Sequence, residues 1–235
     1  MATKTRHIAI ALFGGVGTRF GSALPKQFLD CKGKPLMLYV LEAFEQSSRI
    51  DEIILVSHPD YLKKSEELVQ EAGFTKVRAI LTGGETRSDS VWIALEYLKG
   101  KETEDDSIVL IQDGDRPNLD EVLIEKNVEA AKRYGAAITA IPSSDTCFLS
   151  ENGLEMEQML ERRNVFRAQT PQSFRFALIY PAYQKARENP QIAYTDDASI
   201  ALSYGVKPRI VLGARDNIKI TEREDLESFL PRRKP

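Results

Sequence analysis

The sequence is short of cysteine, histidine and long apolar runs, and each shortage removes a class of function. Its 235 residues contain two cysteines, Cys31 and Cys147, and two histidines, His7 and His58. The cysteines match neither a metal-ligand spacing nor a CxxC redox pair, and neither histidine has a neighbouring cysteine or second histidine. Both thiols read as reduced, which fits a cytoplasmic protein. The apolar run near the start, Ile8–Leu12, is too short for a leader or a membrane span and runs straight into glycines, so it reads as a first strand. The formal net charge is −3, so no broad basic field invites a nucleic acid or a membrane surface. There is no GK[ST] phosphate loop, no third glycine of a dinucleotide fingerprint, and no acidic residue at the ribose position after Ile53–Ser57. A nicotinamide dehydrogenase is therefore disfavoured. No Ser–His–Asp arrangement, repeat or low-complexity tract is visible.

What is present is an alternation. Hydrophobic residues make up 42% of the chain, enough for one sizeable core. Continuous apolar runs at Ile8–Leu12, Ile53–Ser57, Val77–Leu81, Ser107–Ile111 and Ala136–Ile141 read as buried strands. Helical spacing separates them at Leu36–Phe44, Tyr61–Ala72, Arg87–Lys99 and Leu119–Tyr134. This predicts an α/β fold, a Rossmann-like, open, mostly parallel sheet with helices on both faces, as a single domain over residues 1–235. Residues 143–166 break the pattern with polar, short alternating pieces and read as a protruding β-arm. Helices are expected at Phe174–Arg187 and Tyr194–Tyr204, and strands at Pro208–Leu212 and Asp216–Ile220. A last helix is expected at Thr221–Phe229, with Thr221 as N-cap and Glu224 completing a capping box.

In an open α/β sheet ligands bind beyond the carboxyl ends of the strands. Three polar loops leave such ends. The first, Gly14–Lys26, carries Gly14, Gly15 and Gly17 with Arg19 and Lys26. Glycines let backbone N–H groups approach a ligand, and two cations beside them suit a polyphosphate. The second holds Gly83 and Gly84, followed by Ser90, and is readable either as a base and ribose site or as a plain helix start capped by Ser88 or Asp89. The third, Gln112–Pro117, offers Asp113 as a carboxylate for a divalent metal, with Asp115 close by and Arg116 able to pair with either. A simple turn before Gly114 is the plainer reading of the same residues. Lys219 is a cation in a strand-like pattern, readable also as an edge residue facing solvent.

Seven short motifs carry a resemblance. FGGVGTRFGSALPKQF, GGETRSDSV, QDGDRP, SDT, ERRNVFRAQTPQSF, TDDASI and DNIKIT stand in the order seen in the sugar-alcohol phosphate cytidylyltransferases, over nearly the whole chain. Two branches are close: one acts on 2-C-methyl-D-erythritol 4-phosphate in isoprenoid synthesis, the other on D-ribitol 5-phosphate in teichoic acid and capsule synthesis. The resemblance implies a nucleotidyltransferase that uses CTP and Mg²⁺, transfers CMP to the acceptor's phosphate and releases pyrophosphate. It implies Arg19, Lys26 and Lys219 as catalytic cations. It places Phe13, Gly14, Gly15, Gly17, Gly83, Glu85, Arg87, Ser90, Asp113 and Gly114 at CTP, and Thr146, Arg162, Thr170 and Asp113 at the acceptor, with Asp113 as metal ligand. It implies a homodimer that exchanges the 143–166 arm, so that Thr146 and Arg162 serve the partner's site. The chain departs from the family pattern in two loops. The family has His-Asp-Ala-x-Arg-Pro where Gln112–Pro117 stands, and the isoprenoid branch opens Ala-Ala-Gly where Phe13-Gly14-Gly15 stands. Phe13-Gly14-Gly15 and Asp145-Thr146-Cys147-Phe148 lean towards ribitol. Arg87–Val91, Lys219 in its NIKIT context and Thr195–Ser199 lean towards methylerythritol, and the last of these sets the expected acceptor.

Overall fold

β1 (His7–Phe13) lies near the middle of the sheet, as its unbroken apolar run requires. A computed structural model describes residues 5–15, 24–189 and 191–229. After β1 come a small hairpin, β2 (Asp30–Cys31) and β3 (Lys34–Pro35), then α1 (Leu36–Gln46), β4 (Glu52–Ser57), α2 (Leu62–Glu71), β5 (Val77–Thr82) and α3 (Arg87–Gly100). The chain continues through β6 (Ile108–Asp113), α4 (Glu121–Tyr134), β7 (Ala136–Pro142) and a second small hairpin, β8 (Phe148–Leu149) and β9 (Gln158–Met159). It ends with β10 (Phe166–Arg175), α5 (Phe176–Glu188), α6 (Asp197–Ser203), β11 (Arg209–Leu212) and α7 (Arg223–Ser228).

The seven-stranded sheet has the order β11-β7-β10-β6-β1-β4-β5. β10 runs antiparallel to both of its neighbours, and the other pairings are parallel. Alternate residues of each strand serve opposite faces. Ile8, Ile10 and Leu12 pack with α3, α5 and α6, whereas Ala9, Ala11 and Phe13 pack with α1 and α4. Both faces are covered, which is why the central strands carry apolar residues at every position. The chain goes from β1 out to β4 and β5, then returns to β6 on the other side of β1. Loops leaving β1 and β6 therefore diverge, and a crevice opens between them.

Four local expectations fail. A strand, β10, stands where none was expected, and the following helix starts at Phe176 rather than Phe174. β10 was hidden because its buried residues are polar: Gln169, Thr170, Gln172 and Ser173 are all 5% exposed or less. Each is hydrogen-bonded, as burial demands. Gln172 Nε2 donates to Asp196 Oδ2 at 2.9 Å and its Oε1 accepts from the Ala198 N–H at 2.8 Å, while Ser173 Oγ lies 3.4 Å from Asn127 Oδ1. Pro171, which cannot donate to a ladder, falls where the register with β7 shifts between Ala168 and Gln172. Asp216–Ile220 is not a strand. Its backbone carbonyls accept from side chains instead, among them Asn118 Nδ2 to Asp216 O and Lys26 Nζ to Ile220 O. The last helix is capped one residue later than expected, by Glu222 with Asp225, and Thr221 donates its N–H and O–H to Asp225. α3 is capped by Thr86, with Asp89 closing the box, rather than by Ser88 or Asp89 as N-cap.

Gln172 makes a specific check of this polar strand. Gln172→Leu keeps the volume but strands the Ala198 N–H and one Asp196 oxygen. It is expected to destabilise the fold by about 1–3 kcal/mol, measured as a lower denaturant midpoint at unchanged m-value.

Candidate active site

The crevice at the β1/β6 switch point holds a cavity of about 360 Å³. Its walls come from the three loops singled out above: Phe13, Gly14 and Gly15 after β1, Gly84, Glu85 and Arg87 after β5, and Asp113, Gly114 and Asp115 after β6, with Ser90 from α3. Lys26 and Lys219 complete it. Gly114 has to be glycine. Its N–H donates to Leu12 O at 2.9 Å, and a Cβ there would lie 2.2 Å from the Phe13 ring. Gly84 is equally constrained, since a Cβ would lie 2.4 Å from that of Asp89. Gly83 sits behind the wall and hydrogen-bonds to Ser57 O, so Gly84 is the glycine that faces the cavity. Arg19 and Gly17 lie outside the described residues.

Four cations and three carboxylates converge here among the described residues. Arg87 spans two acids: its two terminal nitrogens meet Asp197 at 2.9 and 2.8 Å, and its Nε meets Asp113 Oδ1 at 2.9 Å. Lys219 Nζ reaches Asp113 Oδ2 at 3.1 Å and stands 3.8 Å from Asp115 Oδ1. Lys26 Nζ lies 2.6 Å from Asp115 Oδ2 and from Ile220 O. Arg116 Nε is 3.9 Å from Asp113 Oδ2, and its Nη1 donates to Asn217 O at 2.9 Å. Burial alone would raise the Asp113 pKa, but the charges of Arg87 and Lys219, the Arg87 hydrogen bond and Arg116 together hold it at about 2. Burial works against the Arg87 charge too, and Asp197 and Asp113 outweigh it, so the guanidinium is firmly protonated. For Arg116 burial wins and lowers the pKa, against Asp113 and Asp115.

A second cavity of about 240 Å³ opens on the other side of Arg87, Asp113 and Lys219, walled by Arg116, Thr170 and Thr195. Thr170 Oγ1 accepts the Asp113 N–H at 3.2 Å, so this threonine also helps to seat the carboxylate. Thr146 and Arg162 line neither cavity. Both are exposed on the arm, whose hairpin β8–β9 also exposes Phe148, Leu149, Leu154, Met156 and Met159. Sequence reasoning missed Gln27 and Asp197. Gln27 is buried and donates from Nε2 to Phe13 O at 2.9 Å and Gly15 O at 3.0 Å, shaping the glycine turn from behind. Nothing local to Gln27 marks that role, because its partners are 12 and 14 residues away. Asp197 was legible only as a member of the Thr195–Ser199 motif, with no role of its own.

Chemically, fixed cations beside a glycine-walled cavity suit a polyphosphate, and the adjoining cavity suits a second substrate across the same carboxylate. Comparison with known proteins agrees with this layout. Residues 8–229 match the family model for 2-C-methyl-D-erythritol 4-phosphate cytidylyltransferase, IspD. A relative of that name from Thermosipho africanus is 40% identical over 219 residues, spanning 93% of this chain and 94% of its own. One from Bifidobacterium longum is 39% identical over 224 residues, spanning 93% of this chain and 77% of its own. Among solved structures, the 4-diphosphocytidyl-2C-methyl-D-erythritol synthase of Anaerococcus prevotii superposes with a TM-score of 0.82 at 28% identity, covering 96% of both chains.

The electrostatic arrangement sets a pH dependence. The Asp113 pKa is lower in the folded chain, at about 2, than in an unfolded chain, at about 3.9. Its pairing therefore stabilises the fold fully above about pH 5 and ceases to do so as pH falls through 2. Between those limits the wild type is expected to lose roughly 2 kcal/mol that Asp113→Asn does not lose. Paired urea titrations across that range check it, since the acids outside this cluster contribute equally to both proteins.

Proposed function

This chain belongs to the 2-C-methyl-D-erythritol 4-phosphate cytidylyltransferase family, and we propose from that premise how its residues divide the work. The reaction joins the phosphate of 2-C-methyl-D-erythritol 4-phosphate to CMP drawn from CTP. An oxygen of the acceptor's phosphate forms a bond to the α-phosphorus of CTP as the bond to the β-phosphate oxygen breaks, and pyrophosphate leaves with that electron pair. No covalent enzyme intermediate is needed, so catalysis is positioning and charge stabilisation.

The observation that carries this reading is the convergence of Lys26, Lys219 and Asp113 at the mouth of a glycine-walled cavity. CTP occupies the larger cavity, with its triphosphate over Gly14 and Gly15 and its cytidine towards Gly84, Glu85 and Ser90. Lys26 and Lys219 face the charge that builds on the five-coordinate phosphorus. The acceptor occupies the smaller cavity against Arg116, Thr170 and Thr195. Methylerythritol phosphate is favoured over ribitol phosphate because the family model and the relatives carry the former in their names.

Mg²⁺ fits the carboxylates in one way only. Among the described residues no three acids or histidines cluster as an all-protein cage. Asp115 Oδ1, however, is buried without a hydrogen-bond partner, next to Asp113. Mg²⁺ commonly takes one or two carboxylates and fills its shell with substrate phosphates and water. Asp113 and Asp115 would hold it there, and it would neutralise phosphate charge.

The arm completes the assembly. A hairpin with two-residue strands does not hold its shape alone, and its exposed Phe148, Leu149, Met156 and Met159 mark an interaction surface. A homodimer that exchanges residues 143–166 would cover that surface and carry Thr146 and Arg162 to the partner's acceptor cavity. The free thiols Cys31 and Cys147 support a reducing, cytoplasmic setting, and no described helix is long and apolar enough to cross a membrane.

With CTP, Mg²⁺ and methylerythritol phosphate the protein is expected to release pyrophosphate, and with ribitol 5-phosphate to release it on the order of a hundredfold more slowly. No release with the first acceptor sinks the proposal. Lys26→Ala and Lys219→Ala are each expected to lose on the order of 10²–10³ in kcat while remaining folded. Light scattering is expected to give twice the 26.4 kDa chain mass, and a Leu149→Glu, Met159→Glu double variant the single mass. A wild type at the single mass contradicts the exchanged arm.

A further inference from the structure

Behind the site lies an acid that lines neither cavity. Asp197 is fully buried at the start of α6. Its two oxygens take both terminal nitrogens of Arg87, and Oδ1 also accepts the hydroxyl proton of Tyr183, from α5. Tyr183 is itself buried, and burial together with the Asp197 charge raises its pKa well above the ordinary phenol value, so it remains a donor. Arg87 borders both cavities, as do Asp113 and Lys219. The wall between the two substrates is thus the Arg87–Asp113 contact, and Asp197 grips the far end of that wall.

We propose that Asp197, with Tyr183 behind it, is a positioning residue for the transfer: it fixes the plane of Arg87 and, through Arg87 Nε, the orientation of the Asp113 carboxylate between the two substrates. The proposal rests on the cytidyl-transfer reading given above. An arginine held by one oxygen can swing about that contact, whereas a two-point grip defines the direction of its remaining N–H. Packing alone does not call for the acid. The buried residues that α5 and α6 give to the core include Ala182, Ala186, Ala198, Ile200 and Ala201, and a buried ion pair in such a region is commonly no more stabilising than apolar side chains of similar volume. The grip also joins elements that serve different substrates. Arg87 opens α3, below the nucleotide loop, and Asp197 opens α6, two residues after Thr195 of the acceptor cavity.

Asp197→Asn preserves the shape and removes the charge. It is expected to fold, to lose about tenfold or more in kcat, and to keep its KM for CTP within about threefold, because no CTP contact is removed. In an Arg87→Lys background, where the fork is already gone, Asp197→Asn is expected to cost no more than about twofold further. A purely structural ion pair would instead lower the denaturation midpoint and leave the kcat of the folded protein unchanged. A folded Asp197→Asn with wild-type kcat overturns the proposal, as does full additivity with Arg87→Lys. If Asp197→Asn fails to fold, Tyr183→Phe keeps the ring and removes the donor: a kcat reduced by about threefold or more supports the proposal, and an unchanged kcat overturns it. The side-chain N–H spectrum reads the geometry without any substrate. The Arg87 Nε–H is expected to exchange slowly in the wild type and in Lys26→Ala, and rapidly in Asp197→Asn. Should the wild type release no pyrophosphate, the transfer reading fails by itself, and this resonance still decides the positioning: slow exchange retained in Asp197→Asn overturns it.

Discussion

The carboxylate of Asp113 is the point on which the site depends. It ends β6, a buried strand next to β1, and meets Arg87 on one oxygen and Lys219 on the other. Without it, Arg87 would keep only Asp197 and Lys219 only Asp115, and the mutual repulsion of Arg87, Arg116 and Lys219 would push these side chains apart. With it, and with Asp115 between Lys26 and Lys219, the cations are held in place before any substrate arrives. Four cations against three carboxylates leave the cluster short of negative charge. A triphosphate supplies that charge and meets donors that need little reorganisation.

The sheet topology makes this possible. The reversal of strand order at β1 opens the crevice, and the close approach of Gly114 to Leu12 brings the β6 loop to its edge. The antiparallel β10 does something a parallel strand could not do with so short a connection. It enters from the arm, runs beside β6, and sets Thr170 against the Asp113 N–H and Gln172 against the cap of α6. One polar strand therefore links the arm, the Asp113 carboxylate and the helix that carries Asp197. Its polarity is a consequence of position, since its buried groups bond to β6, α4 and the start of α6.

Legibility in the sequence followed the range of the interactions. The parallel strands and their helices were readable because two-sided burial writes an unbroken apolar run, and a covered helix writes a 3.6-residue period. The three ligand loops were readable because glycine and charge at strand ends are local features. Lys26, Lys219 and Asp113 are brought together as the motifs suggested, although 106 residues separate Lys219 from Asp113. What stayed illegible is long-range and polar. β10 has no apolar period, Asp216–Ile220 has a strand-like pattern but spends its carbonyls on side chains, and Gln27 and Asp197 act through partners that only the fold brings near. Satisfying a buried polar group requires a partner of the right chemistry at any sequence distance, so a single sequence carries no period that reveals it.

The departures from the family pattern make sense as coupled changes. Phe13 stands where the isoprenoid branch has alanine, and Gly114 where the family pattern has alanine. A Cβ at 114 would lie 2.2 Å from the Phe13 ring, so the ring at 13 and the bare backbone at 114 require each other. Alanine at 114 is compatible with a small residue at 13, and glycine is needed once 13 is aromatic. Gln112 follows the same logic in the adjoining turn: its Nε2 donates to Arg116 O at 3.0 Å and so holds the Asp113–Arg116 bend without a ring at that position. Asp115 then adds a carboxylate between the two lysines. The loop that sets this chain apart thus packs around Phe13 with Asp113 held by Lys219 and Asp115 held by Lys26. The feature which leaned towards the other acceptor at the level of motifs is outweighed by the family match over residues 8–229, and its ring packs against the core and Gly114 at the edge of the larger cavity.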